Sequence, residues 1–284
     1  MFQDSPIKSV ELTTQHQRNL YNPITEEDHL KSALDYLNLT AKYPEKITMQ
    51  DIASVPVIKK VRSPADIPWY LLQKIIGLDY SGRNKDFYPK QEKKKASGQA
   101  DTVQSLLRHI TAKETVPYHP MDILNAVYLC SSPFLRPILA EKLFQCQLSL
   151  PLILPPHAKK ARHNLTTWPL RGIICADETG KELSILEQPS LIFTFAKLGS
   201  GKAAGRSKSK LLNDLIHMHG TQYHNVFYHG QMEHGNAPKK ISQGTVDLGW
   251  KLPGNRSSSS EEDGKPDQDI EMYLNMHGDA MAQR

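Results

Sequence analysis

The sequence predicts an α/β fold in two parts, a helical amino-terminal region and a following α/β region, and three observations carry that reading. Upstream, apolar residues recur at helical spacing, as in Leu30, Ala33, Leu34 and Leu37. Downstream, the run Ser190–Leu198 is rich in β-formers and ends at a glycine. A loop of Gly, Ser and basic residues then leads into Lys210–His219, where Leu211, Leu212, Leu215 and Ile216 share one helical face.

Residues 1–25 are polar, lack a sustained apolar period and read as a tail or linker. Thr25 followed by Glu26, Glu27 and Asp28 supplies an N-cap and an acidic first turn for a helix over about residues 26–39. Thr48 opens a short helix or turn through Ile52. Ser63-Pro64 starts another helix, whose apolar face runs from Ile67 to Ile76 and stops at Gly77. The Lys-rich stretch Ser81–Gln99 reads as a solvated linker. Order resumes with Val103, Leu106, Leu107 and Ile110. His119-Pro120-Met121-Asp122 then opens a helix reaching Cys130, and a further one spans about Pro133–Leu148. Leu150–Pro156 is apolar yet bounded by prolines, which suits a buried extended crossing. Trp168 and Leu170–Ile174 fit a short helix or strand, and Ala176–Glu187 a polar connector. A boundary near Gln188 divides the chain into a tail (1–25), a helical region (26–187) and an α/β region (188–284).

Composition narrows the class. With 284 residues the chain can hold one large or two modest cores, and 19 prolines beside 23% charged residues favour ordered parts joined by exposed segments. The net charge of +5 is spread along the chain without interleaved aromatics, so a nucleic-acid surface is not expected. Cys130, Cys146 and Cys175 are an odd count without CxxC spacing, and no charged-then-apolar leader is evident, which predicts reduced thiols in an intracellular setting; the expected location is cytoplasmic, with the nucleus left open. The longest apolar stretch, Leu148–Leu154, is broken by Pro151, so no membrane span is expected. Histidines 217, 219, 224, 229 and 234 crowd one region but match no compact zinc pattern. The run Ser257–Ser260 before Glu261 is low-complexity and reads as a flexible loop.

The chemistry concentrates after the Ser190–Leu198 run. The loop Gly199-Ser200-Gly201-Lys202-Ala203-Ala204-Gly205-Arg206-Ser207-Lys208-Ser209 joins a strand to a helix, the arrangement that aims backbone N–H groups and a helix N-terminus at phosphates. Ser207-Lys208-Ser209 stands where G-K-[ST] closes a phosphate-binding loop. Lys208 would neutralise β- and γ-phosphate charge and Ser209 would ligate Mg²⁺. Gly199, Arg206, Ser207 and Lys210 complete the expected phosphate-contacting set. Two departures stand out: Ser207 replaces the usual glycine, and the loop is longer than the usual spacing. In a second register Gly201-Lys202 is the G-K pair, but Ala203 then offers no hydroxyl.

Several segments, read together, resemble the very large interferon-inducible GTPase family. They are M-Q-D-I-A-S-V from Met49, P-A-D-I-P-W-Y-L-L-Q-K-I-I-G-L from Pro64, H-P-M-D-I-L from His119, C-Q-L-S-L-P-L-I-L-P-P from Cys146, H-G-Q-M-E-H-G-N-A-P-K-K-I from His229, V-D-L-G-W-K-L-P-G from Val246 and N-M-H-G-D-A from Asn275. The resemblance covers about residues 46–280 and implies that residues 188–284 are the first part of a P-loop, GTPase-type α/β domain, cut before that domain is complete. It implies GTP and Mg²⁺ as cofactors, Ser207 as a family feature, and Lys251-Leu252-Pro253-Gly254 in the place of the D-x-x-G element. The Asp of that element is missing, Gly254 could offer a backbone N–H to the γ-phosphate, and Asp247 on the preceding strand is a candidate Mg²⁺ contact. No guanine-reading [NT]-K-x-D is present and no catalytic residue can be assigned. The expected function is GTP binding, with hydrolysis in a full-length relative. The alternative is a nucleotide-free module that uses the helical region for homotypic or heterotypic assembly.

Overall fold

The computed structural model describes residues 26–83, 118–156, 163–176, 180–199, 207–218, 225–251 and 270–283. The expectations for Val103–Ile110 and Ser257–Ser260, and those for Arg206 and Gly254, lie outside these residues. Among the described residues five α-helices precede the sheet: α1 (Glu26–Tyr36), α2 (Met49–Ser54), α3 (Ile67–Ile76), α4 (Pro120–Cys130) and α5 (Leu135–Gln145). Leu30, Ala33 and Leu34 of α1 are buried, with Leu37 just beyond it. Thr48 opens α2 through a reciprocal cap: its Oγ1 accepts from Asp51 N at 3.2 Å while Asp51 Oδ2 accepts from Thr48 N at 2.8 Å. His119 caps α4, its Nδ1 accepting from Met121 N at 3.1 Å. Every residue of α4 is buried, which makes it the central helix of the region.

The described residues then hold seven strands: β1 (Leu150–Leu154), β2 (Asn164–Leu165), β3 (Ile174–Ala176), β4 (Glu182–Ser184), β5 (Ser190–Lys197), β6 (Val246–Lys251) and β7 (Ile270–Asp279). The expected connector Ala176–Glu187 holds β4, which pairs antiparallel with β3. The other five strands form one mixed sheet in the order β2-β1-β6-β7-β5. The extended crossing at Leu150 thus finds its partner in β6, with a register shift between Pro151 and Ile153 beside the residue that lacks an N–H. Strands from both sides of residue 188 share this sheet, and Leu150, Leu154, Leu248 and Trp250 lie in the same core as the helices.

The last α-helix among the described residues, α6 (Lys208–Met218), begins two residues before the expected start. Ser207 Oγ accepts from Lys210 N at 3.3 Å, so a serine in the N-cap position sets Lys208 as the first helical residue. Leu212 and Ile216 of α6 pack with Val226, Phe227 and Tyr273, fixing the helix against β7. No helix among the described residues is long and apolar enough to cross a membrane. Cys130 and Cys146 are buried free thiols, the former pushed up to about 12 by burial, so it stays protonated and inert at neutral pH.

Strand β5 lies at the sheet edge among the described residues, with Leu191, Ile192 and Phe193 exposed. An open apolar edge of this length invites pairing between copies. Ile192→Lys, at a side chain that is 62% exposed, is expected to reduce concentration-dependent self-association in sedimentation measurements without lowering Tm.

Candidate functional site

The site forms where β5 and β7 end side by side. These strands are parallel, with Phe195 opposite Asn275 and Lys197 opposite Asp279. Gly199, at φ +83°, turns the chain off β5 in a conformation that favours glycine, and its N–H donates to Asp279 Oδ1 at 3.0 Å. On the first turn of α6, Lys208 Nζ donates to Asn275 Oδ1 and to the carbonyl of Met276. Asn275 Nδ2 in turn donates to Ser209 Oγ at 3.1 Å. One amide at the end of β7 therefore engages both the cation and the hydroxyl that open the helix.

A second wall comes from the segment between α6 and β6, which is held from three directions. Asn213 of α6 clasps Phe227, donating to its carbonyl and accepting from its N–H, both at 2.8 Å. Buried Arg83 donates to the carbonyls of Val226 at 2.7 Å and Asn225 at 2.6 Å. Asp122, fully buried on α4, accepts from the backbone N–H groups of Lys240 at 2.9 Å, Ile241 at 3.1 Å and Ser242 at 2.7 Å, and from Ser242 Oγ at 2.6 Å. This anchored segment carries Lys239, whose Nζ lies 2.7 Å from His277 Nδ1. His277 Nε2 lies 2.6 Å from Asp247 Oδ2, so the network assigns the imidazole proton to Nε2 and leaves Nδ1 to accept from the lysine.

Between these walls lies a cavity of about 580 Å³, lined by Lys197, Lys208, Ser209, Lys239, Gln243 and Asp279 among others. Burial pushes Lys208 down to about 8, with repulsion from Lys239 adding to the fall and Asp247 opposing it. Lys239 and His277 are also held below their usual ranges by burial, which keeps the imidazole neutral. Asp247 is completely buried behind His277, and its Oδ1 has no hydrogen-bond partner among the described residues. Ammonium groups reaching one cavity from two walls, with neutral groups as their direct partners, suit a polyanion with several oxygens.

Of the expected phosphate-contacting residues, Ser207, Lys208 and Ser209 line the cavity and Gly199 joins its rim through Asp279. Lys210 does not: the next helical position rotates it away, and its Nζ pairs with Asp214 at 2.7 Å. Of the stretch expected to stand for D-x-x-G, only Lys251 is among the described residues, and it lies away from the cavity. Lys251 pairs with Glu271 at the start of β7, the opposite end of the sheet from Gly199, because β6 runs antiparallel to β7. Asn275-Met276-His277-Gly278 occupies the end of the parallel neighbour instead, with Gly278 at φ +83°. Sequence reasoning missed this N-x-x-G, although Ile270–Leu274 alternates as a β-former run before it. Lys239, His277 and Asp279 lie in segments that carry the family resemblance, but nothing local assigns them or Gln243 to the site, since only the fold brings them together.

Fold and site define a mixed α/β protein with a cationic cavity at the shared end of two parallel strands. The chain belongs to the up-regulator of cell proliferation-like domain family, whose match covers residues 118–284. It is 26% identical over 289 residues to the bovine up-regulator of cell proliferation, covering 90% of this chain and 30% of that protein. It is likewise 26% identical to human interferon-induced very large GTPase 1, covering 87% of this chain and 11% of that protein. Human caspase recruitment domain-containing protein 6 is 26% identical over 67% of this chain and 18% of its own length. The chain thus spans 30% or less of each of these relatives. No solved structure matches it.

Proposed function

We propose that this chain binds a guanine nucleoside triphosphate, with the phosphates in the cavity between Lys208 and Lys239. The observation that carries the reading is Lys208 on the first turn of a helix fed by β5, its ammonium held at the end of the adjacent parallel strand by Asn275 and Met276. Such a lysine, with the helix N-terminus behind it, is how P-loop proteins neutralise β- and γ-phosphates. In this reading Asn275-Met276-His277-Gly278 takes the place of the element that senses the terminal phosphate. The choice of guanine rests on the relation to interferon-induced very large GTPase 1.

Phosphates fit the residues present, because the cavity's lysines have neutral direct partners that an anion would improve upon. Mg²⁺ fits poorly. A hard cation favours anionic oxygens, yet Ser209 Oγ faces the hydrogen-bearing nitrogen of Asn275, and Asp247 stands behind His277, which its Oδ2 meets at 2.6 Å. Asp279 is engaged by Gly199 N at 3.0 Å and Met281 N at 2.9 Å.

A nucleotide-free assembly module is the second reading, favoured by one observation: Lys208 is already satisfied by Asn275 and the Met276 carbonyl. Titration of fluorescent GTP and ATP analogues separates the two. Nucleotide binding predicts a saturable GTP signal, weaker for ATP, and a loss of about 100-fold or more in Lys208→Ala, the scale expected when a charge-assisted phosphate contact is removed. Equal affinity of wild type and Lys208→Ala, or no saturable signal, would favour the assembly module.

A further inference from the structure

Resting on the nucleotide reading above, we propose that the triphosphate is held without a divalent cation, the ammonium of Lys239 supplying the second positive charge that a metal would otherwise bring. Three features of the cavity support this. First, the residue beside Ser209 at the end of β7 is an amide, not a carboxylate. Its oxygen is taken by Lys208, and its nitrogen donates to Ser209 Oγ at 3.1 Å. An uncharged group turned this way repels a cation at the hydroxyl.

Second, among the described residues no group of three or more His, Cys, Asp or Glu is placed to hold a metal ion. Neither Asp247, which meets His277 through Oδ2 at 2.6 Å, nor Asp279, which accepts from the Gly199 N–H through Oδ1 at 3.0 Å, belongs to such a group.

Third, Lys239 is delivered to the cavity by a built support. The residues after it are pinned by four hydrogen bonds to Asp122 on α4. Its own Nζ is steadied at 2.7 Å by His277 Nδ1, an acceptor that carries no charge to cancel it. The counter-charge of Asp247 sits behind the imidazole, so the ammonium face turned to the cavity remains available. Lys208 and Lys239 thereby address one anion from the helix and from the opposite wall. Each would exchange a neutral partner for, or share it with, a phosphate oxygen, a stronger charge-assisted bond.

The test is a titration of a fluorescent GTP analogue in Mg²⁺ and in EDTA, using wild type, Lys239→Met and Lys239→Arg. The proposal expects wild-type Kd values within about threefold in the two buffers, a loss of roughly tenfold or more in Lys239→Met in both, and substantial recovery in Lys239→Arg. The wild-type comparison needs no variant and so stands even if Lys239→Met fails to fold. Binding that weakens more than about tenfold in EDTA, or a folded Lys239→Met that binds like wild type, overturns the proposal while leaving nucleotide binding in place. No binding in either buffer overturns the nucleotide reading itself and this proposal with it.

Discussion

Replacing Asp122 with Ala is expected to destabilise the chain by about 3 kcal/mol, roughly a 10 °C fall in Tm, and to weaken nucleotide binding as well. The carboxylate is fully buried on the central helix and accepts three backbone N–H groups and one hydroxyl from Lys240–Ser242. Removing it leaves these largely buried donors unpaired, each at a cost of about 1–3 kcal/mol. Asp122→Asn should fall between the two, because an amide keeps one acceptor oxygen but presents its nitrogen to the remaining donors. The same substitution frees the segment that carries Lys239. The expected signature is thus a melting loss together with an affinity loss, both read on the same preparation by thermal denaturation and GTP titration. A destabilised variant with unchanged affinity would show that the helical region supports the fold but not the site.

The second large effect is on pH. Burial holds the Lys208 ammonium at about 8 in the free protein, against an ordinary lysine value of 10.5. The groups facing it are Lys239, which adds to the depression, Asp247, which opposes it, and neutral His277. A phosphate beside the ammonium favours its charged form and raises its pKa on binding. The sign follows directly. Below about 8 the lysine is protonated with or without ligand, so affinity is flat. As pH rises through 8 the free protein sheds a proton that the complex retains, and affinity should fall by up to about tenfold per pH unit until the complex also titrates. The lowered pKa of Lys239 acts in the same direction. Lys208→Arg, whose guanidinium does not titrate here, should flatten much of this slope. An affinity independent of pH between 7 and about 10 would contradict a cationic Lys208 at the phosphates.

Much of the architecture is legible in the residues because local chemistry decides it. The capping pair Thr48 and Asp51, the His119-Pro120 start of α4 and the β-former run of β5 all act within a few residues of chain. Leu150–Leu154 was readable as extended but not as part of the sheet, since its partner β6 lies some ninety residues further on. The site divides in the same way. Ser207, Lys208 and Ser209 announce themselves by sequence order, and the structure sets them together at one helix start. Lys210 is lost to helical rotation, and Lys251 is misplaced because a strand's direction cannot be read from its residues. Asn275 was overlooked because its amide stands where a carboxylate is the usual signal. Lys239, His277 and Asp247 meet only through the sheet register and the anchoring of a long segment by Asp122.

A structure of the chain at saturating GTP would test the central claim most directly. The account predicts a triphosphate in the cavity, with its oxygens within hydrogen-bond reach of the Lys208 and Lys239 ammonium groups and the Lys208 contact with Asn275 shared or broken. A nucleotide bound elsewhere, or Lys208 still held on Asn275 and Met276 with no phosphate beside it, would contradict that claim.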